Sequence, residues 1–467
     1  MVIRGQQPAD PADSGSATVS YYKEIRPIFQ EHCQGCHQPA KRGGGYVMTR
    51  FDLLLQGGES GEPAIVPGKP EESYLVRQIT PENGKAEMPQ GGQPLPEPLR
   101  AKIIAWIAQG AVDDSPPATA NRYDMEHPPE YPAPPVITAL DFSPDGTQLA
   151  ISGYHEVVIR SSDGQQLLAR LVGLSERIES IAYSPDGQRL AVTGGSPGRL
   201  GELQIWQVAE KQLLLSKIID YDTLYGVSWS PDGSLVAFGC PDHTARAVMA
   251  ETGEQVFYNG AHNDWVLDTV FSVKGDHLIT VSRDMSMKLI HVPTQRFIDN
   301  ITSITPGALK GGLDAVDRHP TEEQVVTGGA DGTPRIYRIF REKARQIGDD
   351  FNLIRAFEPM PGRVFDVAFN RDGKLFVAGS SDDMTGEVRV YQVDDGKIVI
   401  RHQFDSGVYA VAFHPSGQWI AAGGFDGVVR LIKVPEGEVV SEFLPVPLSV
   451  ATGNAATELT AYGTCGS

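Results

Sequence analysis

The chain has 467 residues, a length that suggests two to four domains. With 59 acidic and 40 basic residues it carries a formal charge of −19, a field that repels polyanions and argues against nucleic-acid or anionic-membrane partners. Fifty glycines and 34 prolines favour a turn-rich β architecture, and no run approaches 18 consecutive apolar residues, so no membrane span is expected.

Residues 1–20 are polar, lack the apolar core of a secretory signal, and read as a disordered lead-in. From Tyr21 the apolar residues Ile25, Ile28 and Phe29 recur at helical spacing and lead into Cys33-Gln34-Gly35-Cys36-His37. That string is the attachment signature of a c-type haem. Two thiols a short turn apart can each add to a vinyl group on one porphyrin edge, and the next residue then falls beneath the ring as an iron ligand. Cys33 and Cys36 are therefore expected to anchor one covalent haem c, with His37 as proximal ligand. A closed zinc site needs four ligands, and only Cys240 and Cys465 remain, far along the chain. A thiol–disulfide pair belongs in a βαβ pattern that this stretch lacks. Cys240 reads as a buried small residue and Cys465 as part of a tail; nothing in the sequence pairs them. Covalent haem attachment in bacteria takes place outside the cytoplasm, so a periplasmic or otherwise exported location is expected, with the export signal missing from an incomplete N-terminus.

Next come a glycine-rich loop at Gly43-Gly44-Gly45, a short helix around Phe51–Leu55, and a loop over 67–73 in which Ser73 could cap a helix. A Glu87-Met88-Pro89 loop follows. A final helix spans about Glu97 to Gln109, with Ile103, Ile104, Trp106 and Ile107 on its apolar face and Gly110 as its stop. The strings YYKEIRPIFQEHCQGCHQP, YVMTRFDLLLQGG, IVPGKPEESYLV, AEMP and IIAWIAQGAVDD together resemble the planctomycete-type cytochrome c domain across residues 21–114. The resemblance implies a compact, mostly α-helical single-haem domain. It carries the distal iron ligand onto Met88, which would raise the reduction potential relative to bis-His ligation. Met48, after the glycine-rich loop, is the runner-up. Pro67 and Trp106 are candidates for lining the haem edge, although core packing explains them equally well.

Residues 115–135 hold seven prolines and read as a semi-rigid linker in which His127 is solvated. Beyond Val136 a repeat governs the chain. Its cores begin at Phe142, Tyr183, Trp229, Phe271, Arg318, Phe369 and Phe413, at spacings of 41, 46, 42, 47, 51 and 44 residues. Such periods, each with several short strands and an Asp-Gly type turn, are the signature of propeller blades. The region 136–447 resembles WD-repeat β-propellers, which implies an all-β fold of seven blades. The Trp-Asp dipeptide itself is missing: Trp206, Tyr337 or Tyr391 takes the Trp position in some repeats, and Asp284, Asp331 and Asp426 match the turn aspartate. Repeat five is degenerate, and the last repeat carries all its own strands, so strand exchange at ring closure is not expected. Residues 448–467 read as a flexible tail.

The expected fold class is thus multidomain, a small helical cytochrome followed by a seven-bladed propeller. The expected function is that of an exported monohaem cytochrome that passes electrons to redox partner proteins, an electron carrier rather than a catalyst. The propeller would serve as its docking scaffold. The alternatives are a redox enzyme with a second site on the propeller, comparable to cytochrome-plus-propeller nitrite reductases, and a haem-based sensor or scaffold. The propeller histidines (His155, His243, His262, His277, His291, His319, His402 and His414) are scattered along the sequence and read as structural.

Overall fold

The computed structural model describes residues 18–38, 41–90, 93–115, 123–346 and 348–449. The expected lead-in up to residue 17, the tail from residue 450 and Cys465 lie outside the described residues. The chain divides into two compact units, residues 1–121 and 122–467.

The first unit opens with a wide turn at Tyr21–Ile25, where the Ser20 Oγ accepts the Lys23 N–H (3.0 Å) and donates to Asp114 (2.5 Å). It continues into α1 (Arg26–His32), the two-residue ladder of β1 (His37–Gln38) and β2 (Lys41–Arg42), then α2 (Phe51–Gln56), α3 (Tyr74–Ile79) and α4 (Glu97–Ala108). The mostly helical expectation needs correction: α4 has 12 residues and the others six or seven, so the unit is helix-poor. Glycine at 43–45 and 57–58 and proline at 63, 67, 70, 81, 89, 94 and 96 break every longer helical run. Ser73 stands at the N-terminus of α3 without capping it. Its hydroxyl instead accepts the Val66 N–H and donates to the Lys69 carbonyl, both at 2.9 Å, and so pins the preceding loop.

Trp106 organises the core. It is 1 % exposed, stacks on Tyr21 at 5.3 Å, and meets the edges of Phe29 and Phe51 at 6.3 and 6.2 Å. Its indole N–H donates to the Val112 carbonyl (3.0 Å), which ties the end of α4 to the chain leaving it.

The second unit is all strand. Strands β3 (Leu140–Phe142), β4 (Gln148–Ser152), β5 (Tyr154–Ser161), β6 (Leu167–Tyr183), β7 (Arg189–Ser196), β8 (Leu200–Gln207) and β9 (Gln212–Asp220) form one sheet. Five four-stranded sheets follow: β10–β13 (225–259), β14–β17 (266–300), β18–β21 (313–356), β22–β25 (363–404) and β26–β29 (408–443). All neighbours are antiparallel meander pairs, and the degenerate fifth repeat still forms a complete sheet. The expected seven separate blades are therefore corrected to five four-stranded sheets and one of seven strands. The reason is β6, which runs for 17 residues: its first part pairs with β5 and its last part with β7. The joining residues 173–176 (Gly-Leu-Ser-Glu) stay extended, where the later sheets are separated by non-strand segments such as Asp405-Ser406-Gly407.

Inner strands β3, β6, β10, β14, β18, β22 and β26 contact one another in that order, and β26 meets β3. Among the described residues no strand is exchanged at this seam. The Ile137 N–H donates to the Gly424 carbonyl (2.9 Å), the Arg160 Nε to the Pro445 carbonyl (2.8 Å), and Ile137, Phe142, Ala412 and Val446 share one apolar cluster. Tyr131, from the proline-rich stretch, pairs with Leu448 and donates its hydroxyl to Glu156 (2.7 Å), whose carboxylate also holds Arg170 at 2.6 Å.

Candidate functional site

The C-x-x-C-H motif forms a single tight turn at the end of α1. The Cys33 carbonyl accepts both the Cys36 and His37 N–H groups at 3.1 Å, so the two cysteines and the histidine leave adjacent points of one turn. Both thiols are free; Cys33 is half-buried against the Trp106 core and Cys36 is exposed. Burial pushes the Cys33 thiol up to about 12, with a smaller contribution from Cys36, so it stays protonated rather than becoming a redox-active thiolate. Burial likewise holds His37 below the ordinary imidazole range, against smaller opposing effects of the Gly43 and Tyr46 backbones, so the ring is neutral at neutral pH. Its Nδ1 is buried with no hydrogen-bond partner. Gly43 packs tightly beside it: a Cβ there would lie 3.0 Å from the Cys36 carbonyl oxygen and 3.4 Å from the His37 ring.

The two methionines are placed differently. Met88 is half-buried, borders the same core as Cys33, and is tethered by its N–H to the Gln78 carbonyl (2.9 Å). Met48 is 1 % exposed, and its N–H donates to the His37 carbonyl (2.7 Å). Pro67 is exposed, whereas Trp106 is the centre of the core. His32 is half-buried beside Glu31 (3.6 Å).

In the second unit the inner strands enclose a cavity of about 570 Å³. Its wall was not foreseen from the sequence. Side chains of the inner strands reach the backbone of a neighbouring inner strand: Asp141 accepts the Tyr183 N–H (2.7 Å), Asp268 that of Val316 (2.9 Å), Asp317 that of Phe369 (2.7 Å) and Asp366 that of Val411 (2.8 Å). Ser180 accepts the Val227 N–H (3.1 Å), and Thr269 donates to the Gly226 carbonyl (2.9 Å). Removal from bulk water pushes Asp141 and Asp268 up to about 7 and raises Asp317 and Asp366 as well, against the opposing effect of the N–H donors. Gly226, at φ +45°, is dictated by this packing, because a Cβ there would lie 2.2 Å from the Asp268 Cα.

An arc of aromatic and charged groups borders the cavity, whose lining includes Glu179, Asp314, Phe365 and Tyr409. Tyr225 stacks on Trp265 (5.8 Å), Arg283 lies over Trp265 (4.6 Å), Arg363 pairs with Asp314 (3.0 Å) and covers Phe365 (5.9 Å), and Phe365 meets Tyr409 edge-on (4.9 Å). Arg177, Arg283 and Arg363 are 58, 47 and 44 % exposed, whereas their acidic partners Glu179, Asp264 and Asp314 are 15, 34 and 9 % exposed. The arc therefore presents arginine and aromatic surface on an otherwise acidic chain. A signal for it existed in the repeat: Thr138, Glu179, Tyr225, Leu267, Asp314, Phe365 and Tyr409 all stand four residues before a repeat core.

The remaining expectations for the repeats concern structural residues. Trp206, Tyr337 and Tyr391 are fully buried. Asp284 accepts from His262 (2.9 Å) and the Ser286 N–H (3.0 Å), Asp331 binds Arg335 (2.8 Å), and Asp426 binds Arg430 (2.6 Å). His262 also reaches Thr280 (2.7 Å), the His319 Nδ1 accepts the Glu322 N–H (2.9 Å), and the His414 Nε2 meets the Gly146 carbonyl (2.9 Å) across the seam. Among the described residues no group of three or more His, Cys, Asp or Glu side chains is poised to hold a metal.

The Planctomycete cytochrome C family model matches residues 33–91, and the WD domain, G-beta repeat model matches 352–386 and 396–433. Curated relatives include Periodic tryptophan protein 2 of Saccharomyces cerevisiae, 22 % identical over 67 % of this chain and 36 % of that protein. They include also the guanine nucleotide-binding protein subunit beta of Oryza sativa subsp. japonica, 22 % identical over 48 % of this chain and 59 % of that protein. WD repeat-containing protein 1 of Bos taurus is 30 % identical over 27 % of this chain and 19 % of that protein. The chain thus spans well under two thirds of these relatives' lengths. These matches correct the expectation of an exported electron carrier: the relatives are WD-repeat proteins, and they point to protein–protein interaction. The chain joins a Planctomycete cytochrome C segment to a WD-repeat propeller.

Proposed function

We propose that the chain is a protein-interaction scaffold that docks a partner over the arginine–aromatic mouth of its propeller. The arc from Arg177 through Trp265 and Arg283 to Arg363 and Tyr409 carries this reading. Arginine and aromatic side chains dominate binding energy in interfaces, and exposed arginines above withdrawn acids favour an acidic segment on the partner. On this reading β6 serves two blades at once, as the outer strand of the first and the inner strand of the second, which makes the propeller seven-bladed. The test is cross-linking of the full chain in host lysate, compared with a Trp265→Ala/Arg283→Glu variant of unchanged circular dichroism. Selective loss of cross-linked proteins is expected; an unaltered set would place docking elsewhere.

The N-terminal unit, on the same proposal, holds one covalent haem c. Cys33 and Cys36 would anchor it, His37 would be the proximal ligand, and Met88 the distal one, with Met48 as the alternative. The fit rests on the two free thiols beside a neutral imidazole in one turn, and on Cys33 and Met88 bordering one apolar core. When bound, the group supplies an iron centre and a large apolar plate for a unit whose short helices bury little by themselves. Production with cytochrome c maturation factors should yield haem that survives denaturation in the wild type and is absent from Cys33→Ser/Cys36→Ser. Covalent haem in that variant would refute the assignment.

A further inference from the structure

His277 and His291 lie 14 residues apart, and the fold makes them direct partners across β15 and β16, the second and third strands of the sheet spanning 266–300. Their rings are 5.0 Å apart, and both side chains are half-buried. The pair is braced. The Val292 N–H donates to the Asp276 carbonyl (2.9 Å), the Ser272 Oγ accepts the His277 N–H (3.2 Å), and Phe340 packs edge-on against His277 at 5.0 Å.

The tautomers follow from what each Nδ1 meets. Asp276 Oδ1 faces the His277 Nδ1 at 2.9 Å and also accepts the Ser272 hydroxyl (3.0 Å). Burial acts to raise Asp276, but His277 and Ser272 outweigh it and hold the carboxyl below its ordinary range, so it is an acceptor at neutral pH. His277 must then donate from Nδ1, which leaves Nε2 with its lone pair. The His291 Nδ1 meets the Thr294 hydroxyl at 2.8 Å, a group that can accept as well as donate, so the tautomer that donates to it and bares Nε2 is open to this ring. A ligating imidazole whose other nitrogen is held by a carboxylate or hydroxyl is the arrangement that fixes ring orientation and raises ligand basicity.

We propose that His277 and His291 form a two-nitrogen site for a divalent late transition metal, with copper(II) the tightest of them. Imidazole suits copper, nickel and zinc, and affinity for such donors peaks at copper(II). Two protein nitrogens leave the remaining positions to water, so the site is open. Asp276 positions His277, and Arg296, the cross-strand partner of His291 on β17, is the one opposing charge directly paired with the two rings.

The test uses the full chain carrying Cys33→Ser, Cys36→Ser and Cys465→Ser, which leaves only the buried Cys240 thiol, titrated with copper(II) and with zinc(II) alone. One copper(II) per chain should bind with electron-paramagnetic hyperfine structure from two nitrogens. His277→Ala and His291→Ala should each weaken binding by more than about tenfold, and Asp276→Asn by about tenfold. Copper(II) should raise the thermal midpoint of the parent but not that of His291→Ala, a comparison that survives if His277→Ala fails to fold. Arg296→Ala should tighten binding. A His277→Ala/His291→Ala double variant that keeps the two-nitrogen spectrum and the affinity of its parent would overturn the proposal.

Discussion

The two units differ in where their unpartnered buried polar atoms lie. In the first, three buried polar atoms within residues 37–49 (His37 Nδ1, Gln38 Nε2 and Thr49 Oγ1) have no partner. His37 closes the C-x-x-C-H turn, Gln38 follows it, and Thr49 follows Met48, whose N–H donates to the His37 carbonyl. In the second, inner-strand carboxylates and hydroxyls reach backbone groups of the neighbouring inner strand, and the unpartnered buried atoms, among them His155 Nδ1, Thr193 Oγ1, Tyr337 Oη and Trp419 Nε1, are scattered along the unit. A unit with unmet polar atoms gathered in one place is organised around that place. A ring whose polar groups are shared between neighbours is organised around its own closure, and its chemistry moves out to the rim.

That contrast can be broken in order of expected effect. Trp106→Ala removes the largest buried side chain of the first unit and should cost about 3–5 kcal/mol there. Calorimetry should show the first unit melting early and the propeller transition unmoved; a uniform shift of both would mean that the units do not behave separately. Arg170→Ala leaves Glu156 buried without its cation and should cost the propeller about 3–5 kcal/mol, read from urea unfolding. If unfolding is unchanged, the Tyr131–Glu156–Arg170 knot is not what holds the start of the ring.

The shared carboxylates also give the second unit a pH signature. Asp141 and Asp268 have a folded pKa of about 7 against an ordinary value of 3.8. Their contribution to stability is therefore fully present below about pH 4 and is lost as pH rises through about 7. Around them the channel is faced by Glu179, Asp314, Asp317, Arg318, Asp366, Tyr183 and Tyr409. Asp284 works in the opposite sense. Burial acts to raise it, but His262 and Ser286 hold it well below the usual range, so its contribution is present above about pH 4 and fades only in strong acid. The propeller should melt at a higher temperature at pH 5.5 than at pH 8, and Asp268→Asn should flatten that slope. A flat wild-type profile would show that the channel carboxylates are already solvated. The smallest effect expected is Ser73→Ala, which strips a buried hydroxyl from the Val66 N–H and the Lys69 carbonyl and should cost about 1–3 kcal/mol in the first unit alone.

Read along the chain, the haem-type motif, the repeat period and the helix at 97–108 depend on residues close in sequence, and so their outlines were legible. Spacing sets which side chains share a turn or a face, and proline and glycine mark where an element must stop. The first unit holds less helix than its motifs imply, because its prolines and glycines stop each helical run after six or seven residues before α4. The merging of the first two repeats through β6 was missed because residues 173–176 carry no turn signal and no sequence rule says that a strand may continue through a repeat boundary. The Cys33–Cys36–His37 turn is sequence-local. The neutral state of His37, the different burial of Met48 and Met88, and the exposure of Pro67 are not, because burial depends on what arrives from elsewhere in the chain.

The same division runs through the propeller. Composition and periodicity by themselves determined that this chain makes short strands and tight turns in repeated units, since both follow from φ/ψ preferences and side-chain alternation within each unit. Only the tertiary structure decided that Asp141, Asp268, Asp317 and Asp366 would face one cavity, that arginines would stand beside half-buried acids at its border, and that His277 and His291 would become neighbours. Each of those depends on register between strands and on the curvature that brings one sheet against the next, and a single residue's slip in register would send every one of these side chains to the opposite face.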